Sequence, residues 1–184
     1  MGNKDIEYNL AERLKSPKER DAAFRDLLHL YGSKLYWHVR RIVVSHDDAE
    51  DVMQDTAIRI LDNIGSYKGD SSLLTWTYRI ATNEALMLLR RRCSIFQSID
   101  SLGDSLAEKV ACEADVDADE ATVLFQQAVA KLPTQQRLTF NMRYYDDLPY
   151  EQIAKITGKN INTLKTNYHF AVERVKKYIK ENSI

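Results

Sequence analysis

Cysteine, proline and glycine are scarce in this 184-residue sequence, which holds 2, 3 and 6 of them. So few turn formers argue against an all-β architecture and make long helices the expected fold. Cys93 and Cys112 stand far apart, with no CxxC pair and no nearby His, so neither a zinc site nor a disulfide framework is suggested and reduced thiols are expected. No apolar run approaches the roughly 20 residues of a membrane-spanning helix, and the opening stretch from Met1 to Glu7 is polar. A soluble, unexported, cytoplasmic protein is expected. The sequence also lacks a nucleophile beside a base, a phosphate-cradling Gly-rich loop and metal-ligand spacing, so no catalytic residue, metal or cofactor is expected.

The net charge of −1 conceals a strong asymmetry. Residues 1–93 carry 15 basic and 14 acidic side chains, residues 94–121 carry 1 and 8, and residues 122–184 carry 10 and 5. A basic C-terminal module is therefore joined to a neutral N-terminal one through an acidic connector. The connector is poor in aromatics and rich in like charge, a composition that reads as a flexible linker. The expected architecture is all-α: two helical domains, 1–93 and 122–184, joined by the linker 94–121.

In the N-terminal module, apolar residues at Phe24, Leu27, Leu28, Tyr31, Leu35 and Val39 predict a helix from Asp21 to about Val44. A second helix is expected after Ser45-His46, with Asp47 and Glu50 spaced as a capping box. Its buried stripe would be Ala49, Val52, Met53, Ala57, Ile60, Leu61 and Ile64, leaving Glu50, Asp51, Gln54, Asp55, Arg59 and Asp62 outside. A bundle metal site would need Glu-x-x-His partners on facing helices, and none appears. The turn-rich stretch from Ser66 to Ser72 then leads into a helix from Leu73 to Arg92 that starts with Trp76 and Tyr78 and ends in three arginines. Arginines at a helix C-terminus favour its dipole whatever they bind, but aromatics beside a polar loop and a basic cluster also suit single-stranded nucleic acid.

The C-terminal module carries the sharpest local signal. Pro149 to Ile156 reads as a short amphipathic helix closed by Thr157-Gly158, and a second helix starting near Asn160 or Asn162 has the apolar stripe Ile161, Leu164, Tyr168, Ala171, Val172, Val175 and Ile179. Two helices joined by a Gly turn make a helix-turn-helix. The exposed side of the second offers Asn162, Thr163, Lys165, Thr166 and His169, with Arg174, Lys176 and Lys177 further along, which suits a helix that meets base edges early and phosphates later. On the residues alone, a conventional helix-turn-helix regulator with an N-terminal sensing or dimerisation domain stays open. Such a regulator has no need of the segment from Gly69 to Asn83 beside the triple Arg.

In chain order, four segments carry a resemblance. They are Asp48-Ala49-Glu50-Asp51-Val52-Met53-Gln54-Asp55, then Tyr67 to Asn83 with Leu88 to Arg92, then Leu132 to Arg137, and Leu148 to Ala154 continuing to Thr166. Together, over roughly residues 21–181, they resemble the sigma-70 family of bacterial transcription initiation factors, in its small extracytoplasmic-function (ECF) group. The resemblance implies a non-catalytic subunit that binds core RNA polymerase and directs promoter-specific initiation. Asp51, Gln54 and Asp55 would dock on the β′ clamp, with further contacts to the β subunit. Gly69, Asp70, Ser71, Ser72, Arg79 and Asn83 would capture an unpaired −10 base and hold the opened strand, and Arg90, Arg91 and Arg92 would meet phosphates. Asn162, Thr163, Lys165, Thr166, His169 and Arg174 would read the −35 element. The acidic connector would imitate nucleic acid in a channel that otherwise holds RNA. An inhibitory anti-sigma partner, often membrane-bound, is implied as well, and no small-molecule substrate. The recognition helix departs from the family pattern at Asn167 and Phe170, where basic residues are common, and the turn departs at Lys159, where an apolar one is.

Overall fold

Apolar periodicity becomes helix along the whole described chain. The computed structural model describes residues 3–95, 99–112 and 119–182, and every regular element among them is helical. The order is α1 (Asn3–Lys15), α2 (Arg20–Val43), α3 (His46–Asn63), a 3-10 turn (Ile64–Ser66), α4 (Leu73–Ile95), α5 (Ile99–Cys112), α6 (Glu120–Ala130), α7 (Thr134–Tyr144), α8 (Tyr150–Thr157) and α9 (Ile161–Asn182). Helices α1 to α4 pack into one half and α6 to α9 into the other. The all-α expectation therefore holds, with α2 within a residue of its expected bounds.

Local chemistry explains the helix starts. Helix α3 does not open on the Asp47 and Glu50 capping box; Ser45 is its N-cap, in extended conformation, and its hydroxyl accepts from the Asp48 N–H at 3.5 Å. Val44, at φ 68°, turns the chain sharply between α2 and Ser45, which puts the serine rather than the aspartate in capping geometry. Asp119 caps α6 by accepting from the Ala121 N–H at 2.8 Å and the Thr122 hydroxyl at 2.9 Å, and these bonds hold its carboxyl below the ordinary carboxylate range. Helix α8 ends at Gly158, at φ 70°, the left-handed position that a Cβ makes costly.

One element lies beyond the sequence expectations altogether. Helix α1 buries Leu10, Ala11 and Leu14 against α2, on a stripe that Glu7 also joins. Its polar first residues mask an ordinary helical period at 7, 10, 11 and 14.

The connector is also more ordered than its charge suggests. Helix α5 lies inside the segment expected to be a flexible linker, and Leu106, Ala107 and Val110 are buried in a cluster with Val44 and Ala130. Three apolar residues at helical spacing suffice to seat one face, while Asp104 reaches Lys131 at 3.1 Å and Lys109 reaches Asp48 at 3.5 Å. Counting charge over the whole segment hid that stripe. Residues 113–118, with Glu113, Asp115 and Asp117, lie outside the described residues, as do the side chains of Asp100, Cys93 and Cys112.

The two halves share a core. Leu138, Met142, Ile153, Ile156 and Leu164 from the C-terminal half belong to the same buried cluster as Leu27, Leu35, Ile60 and Leu73 from the N-terminal half. A polar seam runs beside it. His38 is fully buried; its Nδ1 donates to Asp146 Oδ2 at 2.8 Å, and its Nε2 lies 2.9 Å from the Thr82 hydroxyl. Because an ionised carboxylate only accepts, Nδ1 must carry the hydrogen. Arg41 donates to the other oxygen of Asp146 at 2.8 Å and lies over the Tyr145 ring, while the Asn141 amide donates to the Arg41 carbonyl at 3.1 Å. Burial pushes the Tyr145 phenol up to about 12, against the opposing pull of Arg41.

Removing Asp146 strands a buried imidazole and a half-buried guanidinium together. Asp146→Ala is expected to lower the unfolding free energy by about 3 kcal/mol, read as a shift of the urea midpoint, and to expand the free chain in small-angle scattering. Gly158→Ala should cost about 1–2 kcal/mol by the same midpoint measurement, through backbone strain alone, since no atom crowds the added Cβ.

Candidate functional site

Three exposed faces and one capped loop hold the residues singled out from sequence. On α3, Asp51, Gln54 and Asp55 are all exposed, on the side opposite the buried Ala49, Val52, Thr56 and Ile60. Exposed Ile58 lies one turn beyond Gln54 and Asp55, so the face is not purely polar; an isoleucine at i+4 from Gln54 and i+3 from Asp55 was legible as a neighbour and was missed.

The loop between the 3-10 turn and α4 is exposed at Gly69, Asp70 and Ser72 and half-buried at Ser71. It is nevertheless well tied. The Tyr67 hydroxyl donates to the Ser71 carbonyl at 2.7 Å, and the Ser72 hydroxyl accepts from the Thr75 N–H at 3.1 Å, which caps α4. Gly69 takes φ 81°, the backbone region open to glycine. Burial, then the charges of Glu7 and Asp70, raise the Tyr67 phenol, so it remains a donor. Its ring also packs 5.4 Å from Trp76, which is half-buried; Trp76 serves the packing beneath the loop.

Along α4, Arg79, Asn83 and Arg90 are exposed and fall within about 40° of one another around the helix axis. Arg91 is exposed and donates to the Met87 sulfur at 3.7 Å. Arg92 is different. It turns back onto Asp48 in α3, which also receives Lys109, so the third arginine is half-buried in an ion-pair cluster that ties α3, α4 and α5 together. Of the triple Arg, the structure brings Arg90 into line with Arg79 and Asn83 and assigns Arg92 a second duty.

The helix-turn-helix comes out as α8, Gly158 and α9. Asn160 settles the start of α9: its side-chain oxygen accepts from the Thr163 N–H at 2.8 Å. With Asn160 as cap, Asn162, Thr163, Lys165, Thr166 and His169 all lie on the exposed side, and Arg174 follows on the same helix, exposed. A groove beside them is lined by Ala154, Ile161, Asn162, Thr163, Thr166 and Asn167. Lys159 is exposed, and so is the Phe170 ring.

The two halves meet across this site. Helix α8 packs on α4, and Lys155 Nζ donates to the Asp70 carbonyl at 3.4 Å. Among the described residues, no group of three or more His, Cys, Asp or Glu side chains is placed to hold a metal ion, and no helix is long and apolar enough to cross a membrane.

Comparison with known proteins agrees with this fold. Residues 27–94 match the family model for sigma-70 region 2, and residues 122–175 match that for sigma-70 region 4. The chain is 28% identical to the ECF RNA polymerase sigma factor SigW of Bacillus subtilis over 186 residues, covering 96% of this chain and 100% of that protein. It is 29% identical to the RNA polymerase sigma-H factor of Pseudomonas aeruginosa, covering 96% of this chain and 95% of that one. Among solved structures, the fold is similar to CnrH in complex with the cytosolic domain of CnrY, with TM-score 0.70, 18% identity and coverage of 96% and 99%. It is also similar to the sigma factor RpoE in complex with the anti-sigma factor NepR from Bartonella quintana, with TM-score 0.66, 22% identity and coverage of 86% and 98%. Two models of one family, matched in order on the two helical halves, place the chain in the sigma-70 family as an alternative sigma factor of the ECF group, a subunit that brings core RNA polymerase to promoters.

Proposed function

We propose that the three faces divide the work of promoter-specific initiation, with residues 1–93 serving core polymerase and the −10 element, 122–184 serving the −35 element, and 94–121 joining them. What carries the reading is that Asp51, Gln54 and Asp55 on one helix, and Asn162, Thr163, Lys165 and Thr166 on another, are exposed on faces whose opposite sides are buried. The α3 face docks on the β′ clamp through its carboxylates and amide, with Ile58 adding apolar contact. The Gly69 to Ser72 loop takes an unstacked −10 base, Arg79 and Asn83 hold the opened strand, and Arg90 and Arg91 meet phosphates. In the −35 contact, Asn162 and Thr166 meet base edges from the start of α9 while Lys165 and Arg174 meet backbone. The chemistry of initiation belongs to the polymerase, so this subunit acts by binding, in the cytoplasm where the template lies.

Reading both elements at once requires the halves to part. Elements about 25 base pairs apart lie roughly 85 Å apart along B-DNA, whereas Lys155 touches the backbone of Asp70. The packed arrangement is the free chain, and the His38, Arg41 and Asp146 seam is what promoter engagement breaks. An anti-sigma partner fits the same logic, because a protein seated on the α3 and α9 faces would hold the factor away from polymerase and DNA together. RpoE, whose fold is similar, was solved with the anti-sigma factor NepR, and CnrH with the cytosolic domain of CnrY.

The decisive experiment reconstitutes the chain with core enzyme and sequences the transcripts started on genomic DNA; initiation that is the same with and without the chain overturns the reading. Replacing Asp51, Gln54 and Asp55 together by alanine is expected to weaken core association at least about 100-fold with the thermal midpoint unchanged, measured by fluorescence anisotropy. In holoenzyme bound to a −35 duplex, Lys165→Ala should reduce the slope of log affinity against log salt by about 1. Asn162→Ala should instead relax base preference at one position, by about 1–3 kcal/mol.

A further inference from the structure

Glu7 is a carboxylate almost shut away from solvent, at 9% exposure, on a helix far in sequence from every surface assigned above. Both of its oxygens are used. Oε1 accepts from the Tyr31 hydroxyl at 2.8 Å, and Oε2 accepts from the backbone N–H of Leu73, the first residue of α4, at 3.1 Å. Leu73 is fully buried, so its N–H, one of the donors that a helix start leaves unpaired, has no solvent to turn to. Burial, then the bond to Glu7, keep the Tyr31 phenol protonated far above neutral pH, so that partner donates at every working pH. A negative charge at this end of α4 is favourable to the helix dipole as well.

The bond to Leu73 closes a frame. On one side of the loop the Tyr67 hydroxyl holds the Ser71 carbonyl. On the other, the Ser72 side chain and carbonyl take the N–H groups of Thr75 and Trp76. Glu7 supplies the remaining tie, at the residue where loop becomes helix, and it does so from α1, which packs on α2 and on the 3-10 turn that leads into the loop. A recognition pocket must be held within a fraction of an ångström by groups behind it, and Glu7 is the group behind this one.

We propose that Glu7 is a positioning residue for −10 readout: through the Leu73 N–H it fixes the origin of α4 and thereby the Gly69 to Ser72 loop. The inference rests on the reading of that loop as the base pocket. Glu7 itself touches no DNA.

The test uses holoenzyme formed from the full chain and core polymerase on a promoter that the wild type initiates from, with its −10 and −35 positions randomised in a template library. Sequencing the transcripts reads base preference at each position. Glu7→Ala is expected to lower −10 preference about tenfold while leaving the −35 profile and core affinity as they were. Glu7→Gln keeps an amide oxygen for the Leu73 N–H and should stay within about twofold of wild type. Glu7→Asp keeps the charge but is one methylene short of that N–H; it should behave like Glu7→Ala, and it carries the test should the alanine variant not fold. A charge effect would order the three variants differently, and general destabilisation would flatten the −35 profile along with the −10 one. Equal flattening of both elements in Glu7→Ala and Glu7→Asp overturns the proposal, as does a −10 preference that survives in both while the loop variant Asp70→Ala/Ser71→Ala loses it. If that loop variant also keeps its −10 preference, the base-pocket reading itself fails, and the proposal falls with it.

Discussion

The Asp146 carboxylate sits between the imidazole of His38 and the guanidinium of Arg41, and the packing of the two halves depends on that arrangement. A carboxylate with 5% of its side chain exposed is tolerable only when both oxygens are paired, and here the partners come from a helix more than a hundred residues earlier. Apolar packing of Ile153, Ile156 and Leu164 into the shared core is non-directional and would accept several orientations of α8 on α4. The polar seam accepts far fewer. His38 is held at both ring nitrogens and Arg41 by its guanidinium, its ring contact and its carbonyl, so the registry of the halves is set by hydrogen-bond geometry. Such a seam suits a contact that is specific when made and can still open, as the proposed promoter engagement requires, since water can replace its partners.

Helix starts are the second organising device. Ser45, Ser72 and Asn160 each accept a backbone N–H from the first turn of α3, α4 and α9, and those three helices carry the faces proposed for polymerase, the −10 element and the −35 element. A cap fixes which residue begins the helix, and through the 3.6-residue period it fixes which side chains face outward. Moving the start of α9 by one residue would rotate Asn162 and Thr166 by about 100°. Side-chain caps thus supply the angular accuracy that the proposed base recognition requires.

Much of the site was legible for a plain reason: an exposed functional face is the complement of a buried apolar stripe, and stripes are local. Val52, Ile60 and Ile64 disclosed the side of α3 that bears Asp51 and Asp55, and Leu164, Ala171 and Val175 did the same for α9. The expectations that moved each involved a competition that local pattern cannot decide. Asp47 and Ser45 are both capping residues, and the turn at Val44 chose between them. Arg90, Arg91 and Arg92 are chemically alike, yet Asp48 from a neighbouring helix draws in only the third. Helix α5 shows that a segment dense in carboxylates still orders where three apolar residues find a surface to cover.

Sequence alone determined the helical class, the order of the segments and the outward faces of α3 and α9, because periodicity, caps and turn glycines act over a few residues. Tertiary structure decided the rest: that the halves close on each other, that Arg92 is half-buried in an ion pair, and that a glutamate near the chain start holds the first residue of α4. Those outcomes depend on partners 44 to 108 residues apart, and desolvated charge must pair with whatever the fold brings within reach, which no local spacing encodes.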